Sequence, residues 1–238
     1  MTRKTPPPAG GGEAGLYEIV AALRSAGEAG EASCGLCRRT AQCVTREVRA
    51  FLAEYVNDPQ TREGWRRALG FCPEHTPLLA SIGDSLAIAI LYADLARLTR
   101  ERWEAGGVRQ MRSRLPAPFR RAGSEASAPC PACAMTRASD ARNAAALAQA
   151  LTQERAEVWE ALEQGAGLCA AHSEQVMSLC SPAIAARLLK CESDRLIALQ
   201  AELEEIIRKN DYRFRGEPWG SEKDAWLRAL QKLKRLHK

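Results

Sequence analysis

The sequence predicts an all-α protein of two pseudo-repeated helical units, each clipped by a Cys3His metal site, with a C-terminal arm and helix after them. Three observations carry that expectation. Apolar residues recur at three- and four-residue steps along most of the chain, the signature of helices with one buried face. No segment alternates apolar and polar residues as a half-buried strand would. A constellation of cysteine and histidine occurs twice at nearly constant offset, so the helical pattern comes in two copies.

The elements follow in order. Residues 1–29 read as a flexible N-terminal tail and a first helix, the tail being "MTRKTPPPAGGGEAG". Unit 1 spans 30–107. Val44, Val48, Phe51, Leu52, Tyr55 and Val56 share one helical face, and "NDP" at 57–59 stops that helix. A shorter helix carries Trp65 and Leu69 and ends near Gly70. After Thr76 and Pro77 the chain resumes helix, Asp84 or Ser85 caps the apolar "LAIAILYADL" run, and "AGG" at 105–107 closes the unit. Residues 108–129 form a linker, because Pro, Gly, Ser and Arg are mixed there without period.

Unit 2, residues 130–210, repeats the order. An Ala-rich helix covers about 134–151, a second carries Val158, Trp159 and Leu162, and Gly165 and Gly167 break it. Ser181 and Pro182 open a long helix whose buried stripe is Leu188, Leu199, Leu203 and Ile206, ended by Asn210. Residues 211–238 are an aromatic and basic arm with a final helix. Ser221 and Asp224 there match a capping box, and Trp226, Leu230 and Leu233 form an apolar face behind it. Tyr212, Phe214 and Trp219 alternate with Arg213, Arg215 and Glu217. Such rings either stack bases or fold back as a buried latch across the two units.

The cysteines carry the chemistry. Cys34 and Cys37 form a CxxC, and "GFCPEH" supplies Cys72 and His75 after a gap of 34 residues. Cys130 and Cys133 form a second CxxC, and "GLCAAH" supplies Cys169 and His172 after a gap of 35. The offset between copies is 96 or 97 residues, with a glycine and an apolar residue before the third cysteine both times. Three thiolates and one imidazole complete a tetrahedral shell for Zn2+, and each such set would clip the open end of its own helical hairpin. Two of the three histidines fall at equivalent places, three residues after a cysteine, which chance placement rarely gives. Two Zn2+ per chain are therefore expected, ahead of Fe–S ligation, thiol–disulfide redox chemistry or plain buried cysteine. Cys43, Cys180 and Cys191 lack counterparts at the duplicated offset, Cys43 aligning with Ser139, and read as packing residues.

Composition bounds the function. The 238 residues are 46% hydrophobic and 26% charged, a globular balance. The longest apolar run, Leu86 to Ala93, is too short to span a membrane, and no apolar segment follows the first basic residues; a cytoplasmic location without membrane association is expected. Nine cysteines in that compartment point to metal or redox use rather than disulfides. The net charge is +5, with ten Lys or Arg against four Asp or Glu from Arg208 to Lys238, and eight Arg against two Glu from Arg97 to Arg121. These stretches keep nucleic acid open as a partner. No phosphate loop, dinucleotide fingerprint, HExxH or GxSxG is present, and the remaining histidine, His237, sits in the basic tail. No catalytic residue and no small-molecule substrate are identified. The expected role is a non-enzymatic zinc-binding scaffold for another macromolecule, with protein as the favoured partner. A thiol redox protein or zinc-release sensor is the alternative.

The stretches "SCGLC", "GFCPEH", "LAIAILYADL", "CPAC", "DARNAAAL", "GLCAAH" and "DYRFRGEPWGSEKDAWLRAL" resemble an uncharacterised prokaryotic family of helical proteins with duplicated CxxC and CxxH pairs. The resemblance runs from about residue 30 to the C-terminus, and a DYRFRxEPWG-type terminal motif is its most specific part. It implies metal ligation at Cys34, Cys37, Cys72, His75, Cys130, Cys133, Cys169 and His172, and it implies no activity.

Overall fold

A computed structural model describes residues 13–25, 34–113 and 129–234, with the side chains of 13 and 105–113 left aside. Residues 1–12 of the N-terminal tail, most of the expected linker and His237 lie outside the described residues, and the last three tail residues belong to the first helix. Ten α-helices and no strand occur among the described residues: α1 Glu13–Arg24, α2 Gly35–Ala50, α3 Pro59–Ala68, α4 Thr76–Ile82, α5 Ser85–Ser113, α6 Pro131–Thr152, α7 Ala156–Gln164, α8 Ala170–Met177, α9 Pro182–Lys209 and α10 Ala225–Lys232. A π turn, Phe51–Tyr55, extends α2, and a 3-10 turn, Ser221–Asp224, precedes α10. The duplication is visible in this order: α2 to α5 and α6 to α9 each run long, short, short, long.

Local signals set most boundaries. The Asp58 carboxylate accepts the Thr61 amide at 2.7 Å, with Pro59 in the first turn, so α3 starts there. Asp84 accepts the Ala87 amide at 3.0 Å and starts α5. The helix does not stop at Gly106 and Gly107 but continues to Ser113. Each glycine weakens a helix by only about 1 kcal/mol, the residues after them are good helix formers, and no proline intervenes before 116. Ser181 and Pro182 open α9 as expected, though the serine hydroxyl makes no cap bond.

The chain divides into two compact units that do not follow the repeat boundaries of 30–107 and 130–210. One comprises residues up to Ala41 together with Asp140 to the C-terminus, the other Gln42–Ser139; we call them the core unit and the inserted unit. The divisions fall inside α2 and inside α6. In the core unit, Ile19 and Leu23 of α1 pack with Leu36, Leu147, Leu151, Val158, Leu162, Leu168 and Leu188. Each is essentially buried, and a leucine-sized side chain so placed contributes roughly 1.5–3 kcal/mol. Arg187 lies over the Trp159 ring at 3.8 Å. In the inserted unit, Val44, Val48, Leu52, Val56, Leu79 and Leu91 surround an aromatic group in which Trp65 meets Phe51, Phe71 and Tyr92 at centroid distances of 5.1–5.9 Å. The buried Asp94 carboxylate of α5 takes ion pairs from Arg62, Arg66 and Arg97 beside that core.

The C-terminal arm corrects two expectations. Its rings do not form a buried latch: Tyr212 is 80% and Trp219 48% exposed. The final helix does not bury its apolar face either, since Trp226, Leu230 and Leu233 are all exposed while Ala225 and Lys232 are buried. Charge pairing explains this. Arg208 holds Glu217 and lies 4.7 Å from the Phe214 ring, and Lys209 holds Glu222 and the Pro218 carbonyl and lies 5.9 Å from the Trp219 ring, so the arm is fastened to the end of α9 by these two cations rather than by burial of its rings. The Ser221–Asp224 capping box is also unformed, because Asp224 takes a hydrogen bond from Arg228 and Glu222 takes the Gly220 amide.

Candidate metal centres

Each CxxC sits where a helix begins. Cys34 and Cys130 immediately precede α2 and α6, their carbonyls accept the amides of Arg38 and Ala134 at 3.1 Å, and Cys37 and Cys133 lie three residues on, on the same face. Each CxxH is also a helix start. Cys72 accepts the His75 amide at 3.0 Å before α4, and Cys169 precedes α8 and accepts the Ser173 amide at 2.9 Å. Four helix N-termini thus supply the partial positive charge that favours thiolate. The glycine two residues before each CxxH has a structural reason. Gly70 and Gly167 adopt φ of +86° and +71°, left-handed values that turn the chain into the ligand segment while Phe71 and Leu168 enter the cores.

The eight expected ligands converge into two groups, but not the groups that sequence order suggests. Cys34 and Cys37 meet Cys169 and His172, all in the core unit; Cys130 and Cys133 meet Cys72 and His75, all in the inserted unit. The copies have exchanged partners, so no repeat clips its own hairpin. Helix lengths explain why. From Gly35 through the π turn the chain climbs 21 residues, about 31 Å, whereas α3 returns only ten, about 15 Å. By length alone α3 cannot carry the chain back along the whole of α2. The second copy has the same imbalance, with 22 residues in α6 and nine in α7.

Within each group the ligand atoms all lie within 4.8 Å of one another. In the core unit, His172 Nδ1 is 3.4, 3.3 and 3.2 Å from the sulfurs of Cys34, Cys37 and Cys169, and Cys37 and Cys169 are 3.8 Å apart. In the inserted unit, His75 Nδ1 is 3.1, 3.4 and 4.0 Å from Cys72, Cys133 and Cys130, and Cys72 and Cys133 are 3.7 Å apart. A regular tetrahedron with metal–sulfur bonds of about 2.3 Å has sulfur–sulfur edges of ~3.8 Å, so these groups have the dimensions of a shell around one ion. They are far too wide for a disulfide of about 2.05 Å.

Electrostatics agree with a cation at the centre. Burial works against protonation of His172, yet Asp140 and the sulfurs of Cys169 and Cys34 hold its pKa up to about 11. Hydrogen bonds from Cys34, Cys37 and His172 lower Cys169 despite its burial, while Cys169 and Cys34 raise Cys37. In the inserted unit burial again opposes the charged form, but His75 and the other two cysteines bring Cys72 to about 7. Cys133 is pushed to about 12, first by burial and then by Cys72.

With Nδ1 turned to the sulfurs, each histidine keeps Nε2–H for a neighbour. His172 Nε2 is 3.5 Å from the Asp140 carboxylate, and His75 Nε2 is 3.4 Å from the Thr136 hydroxyl, which itself donates to the Ala132 carbonyl. Sequence reasoning missed both partners. Thr136 stands three residues after Cys133, as Thr40 does after Cys37, and Asp140 begins the "DARNAAAL" stretch. It also missed a buried ion pair behind the core site: Glu192 of α9 with Lys232 of α10. Glu192 accepts the Leu168 amide at 3.1 Å, and Lys232 donates to the Leu168 carbonyl at 2.5 Å. The backbone just before Cys169 is held at both its polar groups. Cys43, the unpaired cysteine at the α2 division, is buried, and Cys180 packs on the core-unit cluster, as expected of packing residues. Cys191 instead takes a 2.9 Å contact from Arg195.

No helix among the described residues is long and apolar enough to cross a membrane. An uncharacterized 23.9 kDa protein encoded in the xynA 3' region of Caldicellulosiruptor sp. (strain Rt8B.4) is 40% identical over 67 residues, 28% of this chain and 32% of that protein. The chain thus spans about a third of the length of that relative. No solved structure matches the chain. The profile of a family of unknown function, DUF6062, matches residues 26–238, nearly the whole sequence, and the chain belongs to that family.

Proposed function

We propose that this protein is a zinc-stapled helical scaffold that binds another protein. The observation carrying the reading is the exchange of ligand pairs: Cys37 and Cys169 are 132 residues apart in sequence with sulfurs 3.8 Å apart, so one ion ties segments that local helix formation does not join. Closing a loop of that length is entropically unfavourable in the unfolded chain, and a bound ion offsets that cost. Three sulfurs and one imidazole favour Zn2+ among the divalent ions, and a complete set of four leaves no position for a reacting water. An iron–sulfur cluster fits less well, because its thiolates sit on separate irons rather than around one point.

Thiol redox chemistry is less well supported. The sulfur contacts below 4 Å join cysteines of different motifs, Cys37 with Cys169 and Cys72 with Cys133, rather than the two members of one CxxC. Nucleic-acid binding is less well supported, because five of the ten cations from Arg208 to Lys238 are engaged within the chain. Arg208, Lys209, Arg213, Arg228 and Lys232 each face a carboxylate, and on α5 Arg97 and Arg100 are paired with Glu101 and Glu104. A protein partner is favoured by the exposed Tyr212, Trp226, Leu227 and Leu230.

The test is metal analysis of freshly purified protein together with partner capture. Two zinc per chain without visible absorption, and a captured protein lost on Trp226→Ser/Leu230→Ser, are expected. Iron with visible bands, or no metal, overturns the zinc reading. Capture unaffected by the double substitution overturns the assigned surface.

A further inference from the structure

The duplication allows the two candidate centres to be compared position by position. The core-unit ligands are sealed: Cys34, Cys169 and His172 are at most 1% exposed, and only Cys37 is partly accessible. All four inserted-unit ligands are partly accessible. The groups facing the second histidine nitrogens also differ: the Asp140 carboxylate stands 3.5 Å from His172 Nε2 as a charge contact without hydrogen-bond geometry, and the neutral Thr136 hydroxyl stands 3.4 Å from His75 Nε2. A carboxylate partner raises the basicity of the imidazole and so strengthens its bond to a metal, and loss of such a partner typically weakens metal binding about 10–100-fold.

The turns before the third cysteine differ as well. One hydroxyl bond is common to both, Thr76 to the Cys72 carbonyl at 3.0 Å and Ser173 to the Cys169 carbonyl at 3.1 Å. The core unit adds the Glu192–Lys232 clamp on Leu168. Ninety-seven residues earlier, the counterpart of Glu192 is Leu95, which has no polar group to offer the Phe71 peptide. Lys232 belongs to the C-terminal extension that follows only the second copy.

We propose that the two sites are unequal: the Cys72, His75, Cys130, Cys133 site is an exchangeable zinc site, and the Cys34, Cys37, Cys169, His172 site retains its ion. This rests on the two-zinc reading above. An incoming ligand reaches the sulfurs of the inserted unit directly, whereas the core site must first open around Leu168 and Asp140. The inserted unit therefore responds to zinc supply while the core unit stays folded, so that the scaffold has a metal-dependent half and a permanent half.

The experiment uses the full-length zinc-loaded protein, a chromophoric chelator, 4-(2-pyridylazo)resorcinol, and N-ethylmaleimide with mass mapping of labelled cysteines over time. Two release phases at least about tenfold apart are expected, with Cys72, Cys130 and Cys133 labelled in the first and Cys34, Cys37 and Cys169 in the second. Asp140→Asn should speed the second phase about 10–100-fold and leave the first unchanged. A single phase, or labelling of Cys34, Cys37 and Cys169 first, overturns the inequality while leaving two zinc sites in place. Protein purified without zinc overturns the zinc reading, and this inference with it.

Discussion

Cys37 belongs to the CxxC of the first repeat and Cys169 to the CxxH of the second, yet their sulfurs lie 3.8 Å apart in one ligand group. Both ligand groups follow this rule, so each centre draws its CxxC from one copy and its CxxH from the other. Loss of metal should therefore be felt as loss of long-range order more than loss of helix. Excess chelator is expected to lower the midpoint of thermal unfolding by at least about 10 °C, since structural zinc contributes many kcal/mol and each shifts a domain of this size by about 2–4 °C. Near-ultraviolet circular dichroism, which reports on the packed Trp65 and Trp159, should fall more than the helical signal.

The Glu192–Lys232 pair makes a two-step prediction. Lys232→Met removes one of the two cations on the buried Glu192 carboxylate, Arg195 remaining at 3.3 Å, and should cost about 1.5–3 kcal/mol in denaturant unfolding. Adding Glu192→Leu installs the residue found at the equivalent place in the first copy, Leu95. The double variant should recover about 1 kcal/mol of that loss, with the remainder reflecting the unpaired Leu168 peptide and the Arg195 guanidinium left without its carboxylate. A double variant no more stable than the single one would remove the ion pair from its assigned place.

Asp94 predicts acid behaviour. Its hydrogen bond from Arg66, joined by those from Arg97 and Arg62 and opposed by burial, lowers its pKa from 3.8 to about 2. A depressed carboxylate contributes stability that is fully present above pH ~3.8 and is lost as pH falls towards ~2. Asp94→Asn should destabilise the protein by about 2 kcal/mol near neutrality and flatten its stability profile in that acid window, measured by urea unfolding at each pH.

The exposed face of α10 predicts an absence of effect. Trp226→Ser and Leu230→Ser should each change stability by less than about 0.5 kcal/mol, as surface substitutions do. A loss of several kcal/mol would mean that this face is covered within the folded chain.

Much of this architecture was legible because its signals are local. Asp58 before Pro59, Asp84 before the α5 apolar run and the two CxxH glycines are read within a few residues, and each sets a boundary in the structure. The eight Cys and His residues of the two groups were legible as well, since thiol and imidazole spacing is periodic in the sequence. Their pairing was not. It depends on how far α3 and α7 return along α2 and α6, and the π turn that extends α2 carries no distinct sequence signal. The fate of Trp226 and Leu230 was equally hidden, because an amphipathic pattern announces an apolar face without saying whether this chain covers it. The arm is placed by Arg208, Lys209 and Lys232 meeting carboxylates up to 40 residues away, relations that no short window contains.

The exchange of ligand pairs is the central claim, and one variant tests it directly. Cys34→Ser/Cys37→Ser, purified with zinc and pulsed with N-ethylmaleimide, removes one CxxC and asks which CxxH it served. One zinc per chain, labelling of Cys169, and protection of Cys72, Cys130 and Cys133 at the level seen in the unmodified protein are expected. Labelling of Cys72 with Cys169 protected would show that each repeat holds its own ion, and would contradict the exchange of ligand pairs.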